Sequence, residues 1–377
     1  VKPIPFNKPF VTGKELSYIR EVTESGKFSG EGNFTKKCTS FFENKYGIKK
    51  AFLTTSCTDA LEMAAILLDI KQGDEIIAPA YTFVSTVNAF VLRGATIVFA
   101  DSNALNPDMD AESIEALVTP RTKAIVAVHY AGIACDMDLI MEIAKKHNIC
   151  VVEDAAQAID SYYKNKALGS IGHLAAFSFH ETKNVIAGEG GLLAINDERF
   201  LHRAEVISEK GTNRWSFVRG EVKKYEWVDI GSSFMPSELT AAFLYAQLES
   251  IEQIQLKRIA LWGTYYRLLK NLEEKGCLER PHLPSYATNN AHIYYVVLNN
   301  IEERTALIHF LKEKGISSAF HFLSLNKSRF YQEQNHADLI NSDKYTDCLL
   351  RLPMYFELTT EEIGFICEQI ELFFQKK

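Results

Sequence analysis

No stretch of this sequence is apolar for the roughly 18 to 20 residues that a membrane-spanning helix needs, and the opening, Val1 to Phe10, lacks the build of a signal peptide. No membrane partner is expected. A start at Val1 instead of Met suggests a numbering that begins inside a processed or engineered chain. Excess positive charge is missing too: 41 Lys and Arg stand against 48 Asp and Glu, for a formal net charge of −7. Without a clustered basic face, nucleic acid and anionic lipid are poor candidates for the main partner. No C-x-x-C occurs among Cys38, Cys57, Cys135, Cys150, Cys277, Cys348 and Cys367. Their scatter and odd number suit reduced thiols in a cytoplasmic protein. His180-Glu181-x-x-Asn184 lacks the second histidine of a zinc-protease helix, so no metal is expected. Gly30-Glu31-Gly32 has neither a preceding strand nor a third glycine, which removes the dinucleotide fingerprint that an NAD-dependent enzyme would carry. The stretch from Gly26 to Gly32 reads instead as a loop at a binding site.

What is present is a hydrophobic fraction of 47% over 377 residues, enough for a large core and, by length, roughly two or three domains. Short apolar runs alternate with helical patterns. Strands are expected at 51–54, 73–79, 96–100, 124–129, 149–154, 174–179 and 192–196. Between them lie helices such as the one carrying Ala60, Leu61, Ala64, Ala65 and Leu68, and those at 84–92, 138–146 and 198–210. This alternation predicts an α/β fold with a mostly parallel sheet flanked by helices. Pro236 opens a long helical region from Ser237 to about Glu274, with Leu239, Ala242, Phe243, Ala246 and Leu248 on one face. The chain divides near residue 246, into a large α/β domain (1–245) and a small C-terminal α+β domain (246–377). Strands are expected in the latter at 293–298 and 319–323, with helices at 303–314 and 360–375. His129 and His147 read as structural.

Two residues organise the candidate site. Asp154 ends the apolar strand Ile149-Cys150-Val151-Val152, where active sites of open α/β sheets lie, and Lys183 follows the run Leu174 to Phe179. If those strand ends are neighbours, a carboxylate and an amine face one pocket. Pyridoxal phosphate needs that pair: an amine to join its aldehyde, and a carboxylate to keep its ring nitrogen protonated. An ordinary strand-end acid and a loop lysine give the same spacing, so the surrounding residues must decide. The helix after Thr54 starts at Ser56-Cys57-Thr58-Asp59. Its free amides and dipole favour a phosphate, and Ser56-x-x-Asp59 is also a capping box. Phe83, at another strand end, could stack on a flat cofactor or belong to the core.

Together these motifs resemble the DegT-type nucleotide-sugar aminotransferases. The matches are Ser-Cys-Thr-x-Ala-Leu at 56 to 61, Pro-x-Tyr-Thr-Phe-Val at 79 to 84, Val-Glu-Asp-Ala-Ala-Gln at 152 to 157, Phe-Ser-Phe-His-x-Thr-Lys-Asn at 177 to 184, Gly-Glu-Gly-Gly at 188 to 191, and Ser-Glu-Leu-x-Ala-Ala at 237 to 242. The resemblance implies pyridoxal-phosphate-dependent fold type I, with Lys183 bound to the cofactor and Asp154 at its ring nitrogen. It also implies Gln157 at the phenolic oxygen and Phe83 on the ring face. The phosphate would be held by Thr58, Asp59, Ser178 and a residue of a second subunit, in a homodimer with shared sites. That last residue is commonly Asn within Gly-x-Asn-Tyr-Arg-Met. Here Gly231-Ser232-Ser233-Phe234-Met235-Pro236 puts Ser233 there.

Further stretches, such as Tyr-Thr-Phe-Val-Ser-Thr-x-Asn-Ala-Phe at 81 to 90 and Glu-Lys-Gly-Thr-Asn-Arg at 209 to 214, resemble the transaminases that make dTDP-4-amino-4,6-dideoxygalactose for surface polysaccharide. His321-Phe322-Leu323 stands where Pro-Leu-His is commoner. The implied substrates are glutamate and dTDP-4-dehydro-6-deoxyglucose. A 3-keto or UDP-linked sugar would use the same chemistry. A dehydratase relative would carry histidine in place of Lys183, and a non-catalytic cofactor-binding regulator has no need of Lys183, Asp154 and Gln157 together.

Overall fold

Seven of the short apolar runs join in one sheet in the computed structural model, which describes residues 3–331 and 338–376. They are β1 (Lys50–Thr54), β2 (Glu75–Pro79), β3 (Thr96–Ala100), β4 (Thr122–Val128), β5 (Cys150–Asp154) and, after a small hairpin of β6 (Tyr162–Tyr163) and β7 (Lys166–Ala167), β8 (Leu174–Ser178) and β9 (Gly191–Ile195). Their order is β1-β9-β8-β5-β4-β2-β3. β9 runs antiparallel to both β8 and β1, while the remaining pairs are parallel. The expected α/β architecture is therefore present. Because β1, β2, β4, β5 and β8 share one direction, their C-terminal ends meet at one edge of the sheet. The reversed β9 begins at that edge, so the connection 179–190 lies there as well.

Residues alternate between the two faces of the pleat. Ile125 and Val151 enter the core shared with α1 (Glu15–Ser25), α2 (Asn33–Tyr46), α6 (Met137–His147) and α9 (Glu238–Glu249), the last helix on a path that also includes the short α5 (Ile114–Leu117). Val126 and Val152 enter the opposite core, with α3 (Cys57–Leu67), α4 (Ser85–Val91) and α7 (Leu201–Ser208). A one-turn helix, α8 (Arg214–Val218), sits in the long loop before α9.

The helical region after Pro236 is not continuous: α9, α10 (Ile251–Leu268) and α11 (Lys270–Glu274) are separate, with breaks at Ser250 and Leu269. The buried face of α9 also differs from the expected one. Ala241, Ala242, Leu244, Ala246 and Leu248 are buried, whereas Leu239 is 37% exposed. The physical reason is that α9 packs against both α1 and α2, which demands small residues on two sides. α2 was not expected at all. Phe34, Cys38, Phe42 and Tyr46 recur every fourth residue on its buried side, a helical signal masked by the polar residues between them. Glu238 of α9 completes its start, accepting the N–H groups of Gly32, Phe34 and Thr35 at 3.0, 2.8 and 3.0 Å. A carboxylate there satisfies donors that a helix cannot satisfy itself and complements its dipole. The Gly26–Gly32 loop is thus part of a packed joint.

In the C-terminal part, β10 (Tyr294–Val297) pairs antiparallel with β11 (Leu349–Leu352). The second strand expected at 319–323 does not form; only Ala319 makes a bridge, to Arg351. His321 and Phe322 instead turn their rings into a cavity. α12 (Ile301–Glu313), α13 (Ile340–Cys348) and α14 (Thr360–Gln375) surround the pair, and α14 starts with a complete capping box of Thr359 and Glu362. α13 is built of poor helix formers. Asp101, at the end of β3, holds its first turn by accepting from Asn341 N at 3.1 Å and Ser342 N at 2.8 Å. The N-terminal segment joins this part of the molecule: Ile4 exchanges backbone bonds with Gly315 and Ser317, Met354 N donates to Phe6 O at 3.2 Å, and Phe10 stacks on Phe356 at 3.8 Å. Among the described residues no helix is long and apolar enough to cross a membrane.

Candidate active site

At the edge where the parallel strands end lies a cavity of about 700 Å³. Asp154, the last residue of β5, and Lys183, in the β8–β9 connection, both line it. Thr86 Oγ1 donates to Asp154 Oδ2 at 2.7 Å and Ala156 N donates to Oδ1 at 3.1 Å. Thr82 Oγ1 lies 2.8 Å from Thr86 Oγ1, so two threonines one turn apart aim the carboxylate. Among the described residues the Lys183 amine has no hydrogen-bond partner. Burial holds its basicity below the ordinary lysine range, with the neighbouring Arg351 charge acting in the same direction and Cys57 and Asp154 acting against it.

The neighbouring residue Glu153 points to the other face of the sheet and has a different task. Its fully buried carboxylate accepts from Gly169 N at 2.7 Å, Ile171 N at 2.8 Å and Gly172 N at 2.5 Å, and lies 3.0 Å from His129 Nε2. His129 Nδ1 takes Cys135 N at 3.3 Å, so the ring hydrogen is on Nε2 and faces the acid. His147 lies 2.8 Å from Glu115. Both histidines are structural, as their sequence context suggested.

Gln157 enters the cavity in a fixed orientation. Ala131 N donates to its Oε1 at 2.7 Å, which decides the amide's direction and leaves the Nε2 donor for a ligand. The backbone at that contact is left-handed: Ala131 and Gly132 have φ of 57° and 78°, which costs the alanine but not the glycine. At Gly132 any Cβ would lie 2.0 Å from Asn290 Oδ1.

The start of α3 supplies Ser56, Cys57 and Thr58 to the cavity wall. Ser56 caps the helix, accepting from Asp59 N at 3.0 Å, and the Asp59 carboxylate takes the Thr55 hydroxyl. Thr58 Oγ1 donates to Ser85 Oγ at 2.9 Å. Gly191 permits this turn to sit against β9, because a Cβ there would lie 2.3 Å from Ser56 C and 2.4 Å from Cys57 N. Ser178 and Phe83 also line the cavity; Phe83 is 58% exposed, its ring 6.2 Å from that of Phe322. Asp59 and Ser233 are not on the wall. Ser233 is exposed, one residue before Phe234, whose carbonyl accepts Thr55 N at 2.8 Å.

Several lining residues carried no signal in the sequence, among them His292, whose Nδ1 lies 2.9 Å from Asn184 Oδ1. Burial keeps it neutral, as it does His321, which the sequence marked by its place in a family motif. Phe6 and Arg351 come from opposite ends of the chain. Thr86 could have been found as a second hydroxyl four residues after Thr82, on the same side of a helix.

These groups suit one type of ligand. An amide-rich helix start with Thr58 and Ser178 hydroxyls fits a phosphate. A carboxylate aimed by two donors fits a protonated ring nitrogen, an amide N–H fits a ring oxygen, and a half-buried, unpaired amine fits an aldehyde. The set fits pyridoxal phosphate. Among the described residues no cluster of His, Cys, Asp or Glu is placed to hold a metal ion.

Residues 10–371 match the model of the DegT/DnrJ/EryC1/StrS aminotransferase family. The spore coat polysaccharide biosynthesis protein SpsC of Bacillus subtilis is 32% identical over 97% of this chain and 96% of its own. An aminotransferase from Psychrobacter cryohalolentis superposes with a TM-score of 0.92 at 28% identity, covering 99% of both chains. The pyridoxal-phosphate form of Spr1654 from Streptococcus pneumoniae, described as a putative sugar aminotransferase, does so with a TM-score of 0.90 at 25% identity, again over 99% of both chains.

Proposed function

Because the chain belongs to the DegT/DnrJ/EryC1/StrS aminotransferase family, whose members are pyridoxal-phosphate-dependent sugar aminotransferases, we propose a specific reaction and a role for each residue of its cavity. The amino group of glutamate is moved to the 4-keto carbon of dTDP-4-dehydro-6-deoxyglucose, giving dTDP-4-amino-4,6-dideoxygalactose for a surface polysaccharide. The motifs at 81 to 90 and 209 to 214 support the sugar, and the likeness to a spore coat polysaccharide protein supports the pathway class.

Pyridoxal phosphate, when bound, supplies a ring that accepts the electrons left behind as a proton leaves the carbon bearing nitrogen. Lys183 Nζ would hold the cofactor and, when free of it, is the group placed to take and return a proton at the carbon bearing nitrogen. Its burial is useful here, since a base must be unprotonated near neutral pH, and desolvation favours the neutral amine. Asp154 keeps the ring nitrogen protonated, with Thr86 and the Ala156 amide fixing its direction. Gln157 Nε2 would be the donor for the phenolic oxygen, and Phe83 would supply an apolar wall for the ring. Thr58, the α3 amides and Ser178 take the phosphate. Asp59 steadies that turn from behind, and Ser233 of a second copy of the chain adds a donor, which makes the working unit a homodimer with shared sites.

The observation that carries this reading is the unpaired, half-buried Lys183 amine sharing a cavity with the doubly held Asp154 carboxylate. The test is incubation of cofactor-loaded protein with glutamate and dTDP-4-dehydro-6-deoxyglucose, following the nucleotide sugar by mass spectrometry and NMR. An amino sugar with an axial nitrogen at C4 supports reaction, substrate and stereochemistry together. Conversion of glutamate to 2-oxoglutarate without an amino sugar would mean a different keto sugar, and a panel including 3-keto and UDP-linked sugars would then identify it. No reaction with any amino donor would refute the aminotransferase roles.

A further inference from the structure

His292 stands in the cavity wall just before β10, and its ring is held by a buried chain of amides. Asn184, the residue after Lys183, is 5% exposed. Its Nδ2 donates to Asn290 O at 2.8 Å and to Gln255 Oε1 at 2.9 Å. A peptide carbonyl can only accept, so the Asn184 amide has one orientation, and Oδ1 is the atom that lies 2.9 Å from His292 Nδ1. An amide oxygen can only accept as well. The hydrogen of the imidazole is therefore on Nδ1. Burial, ahead of the surrounding charges, keeps the ring neutral, which leaves Nε2 with a bare lone pair.

The backbone around this ring is held as closely. Arg258 donates through Nε to Ala291 O at 3.0 Å and through Nη2 to His292 O at 2.6 Å. Asn290 Oδ1 accepts His292 N at 3.0 Å, and Asn290 Nδ2 reaches Gln157 O and Ile159 O, both at 2.8 Å. Between them Ala291 takes a φ of 52°, a left-handed conformation that costs an alanine. The result is one ring fixed in one tautomer. Among the described residues its Nε2 has no partner, yet it is not sealed from the cavity that His292 lines. An acceptor in a largely dry wall is stabilised by a donor and penalised without one.

The donor follows from what each ligand brings. Phosphates, carboxylates and the keto oxygen present acceptors, which a lone pair repels. The nitrogen of an amino donor is spent in the reaction. A nucleoside has donors, but it lies beyond the diphosphate from the reacting carbon, whereas His292 is tied to the residue that follows the reacting lysine. The hydroxyls of the sugar ring remain. We propose that His292 Nε2 accepts a hydrogen bond from a ring hydroxyl of the keto sugar, and that Asn184 is a positioning residue that fixes the tautomer for it. This rests on the sugar aminotransferase reading of the cavity.

The experiment starts with the cofactor-loaded wild type, whose reaction with glutamate is followed first. No reaction with glutamate or any other amino donor would sink the aminotransferase reading, and is seen before His292 is touched. Ring-nitrogen NMR of histidine-labelled protein then reads the tautomer, the His292 signals being those lost in His292→Asn. A hydrogen on Nδ1 is expected, and a hydrogen on Nε2 would overturn the proposal. Calorimetry compares thymidine diphosphate with thymidine diphosphoglucose, which carries ring hydroxyls but no keto group and so does not react; the uridine pair replaces them if the wild type binds only uridine nucleotides. Asparagine keeps a donor where Nδ1 was and removes Nε2, so the bond to Asn184 survives and the acceptor does not. His292→Asn should bind the diphosphoglucose about five- to a hundredfold more weakly, the cost of a buried hydroxyl left unmatched, and the diphosphate as the wild type does. His292→Gln, which returns an oxygen near the place of Nε2, should recover part of the loss. A His292→Asn protein that binds the diphosphoglucose like wild type would show that the ring is only structural, and one that loses both nucleotides equally would show that it only shapes the cavity; either result overturns the proposal.

Discussion

Replacing Thr86 by valine would isolate the aiming of Asp154. Valine fills the space of threonine, and Thr86 is 1% exposed, so no cavity forms and no surface is opened. What disappears is the hydroxyl that donates to Asp154 Oδ2 at 2.7 Å and meets Thr82 Oγ1 at 2.8 Å. A hydrogen bond to a charged group is worth about 1.5–3 kcal/mol net and a neutral one about 0.5–1.5. The cofactor-free protein should therefore lose about 2–4 kcal/mol, less whatever water entering the cavity restores. Equilibrium urea unfolding followed by tryptophan fluorescence gives the loss. Thr86→Ser, which keeps the oxygen, should recover most of it. A double-mutant cycle with Asp154→Asn separates the pairwise share, and it should show a coupling of at least 1 kcal/mol. Thr86→Val within about 0.5 kcal/mol of wild type, or no coupling to Asp154, would mean that the contact has no energetic content and that Asp154 is aimed by the Ala156 amide alone.

Lys183→Ala should abolish amino transfer while leaving the cofactor bound through its phosphate, and Asp154→Ala should lose most activity with the fold intact; steady-state rates and circular dichroism check both. Gly191→Ala should cost about 1–3 kcal/mol or more by overpacking, and should weaken phosphate binding at the start of α3, because every atom its Cβ meets there is backbone; inorganic phosphate titration and thermal unfolding read the two effects. Buried neutral His292 and His321 make the unfolded chain the better proton binder below about pH 6.5. Stability should be fully present above that pH and decline as pH falls, by up to about 1.4 kcal/mol per pH unit for each histidine. His321→Gln should make the slope shallower by one proton, as measured by urea midpoints from pH 7.5 to 5.

The parts of the fold that announce themselves in the sequence are those whose cause is local. β5 and β8 are continuous apolar runs because both their faces are buried, and α14 carries its own capping box and apolar periodicity. α13 could not be read this way, since its first turn is held by Asp101, about 240 positions earlier in the chain. The 319–323 segment has strand-like composition, but its aromatic residues serve the cavity and its Phe320 carbonyl serves Arg351. The site divides along the same line. Asp154, Lys183, Gln157 and Thr58 lie at the ends of recognisable elements, in stretches whose order is itself informative. Phe6, His292 and Arg351 reach the cavity only through tertiary packing, and nothing within a few residues of any of them marks the destination; His321 is marked only by its departure from a family motif.

The joining of Ile4 and Phe6 to residues 315–317 and 354 also sets an order in time. A ribosome adds about 5–20 residues per second, so the segment around Ile4 and Phe6 waits about 20 to 70 seconds for the strand that will fasten it. Until then Phe6 has no Arg351 guanidinium to face, and the cavity lacks the wall that β11 provides. Capture of anything that needs that wall therefore waits until residues 349–354 have been made and folded, and the seven-stranded sheet can assemble without help from anything bound there.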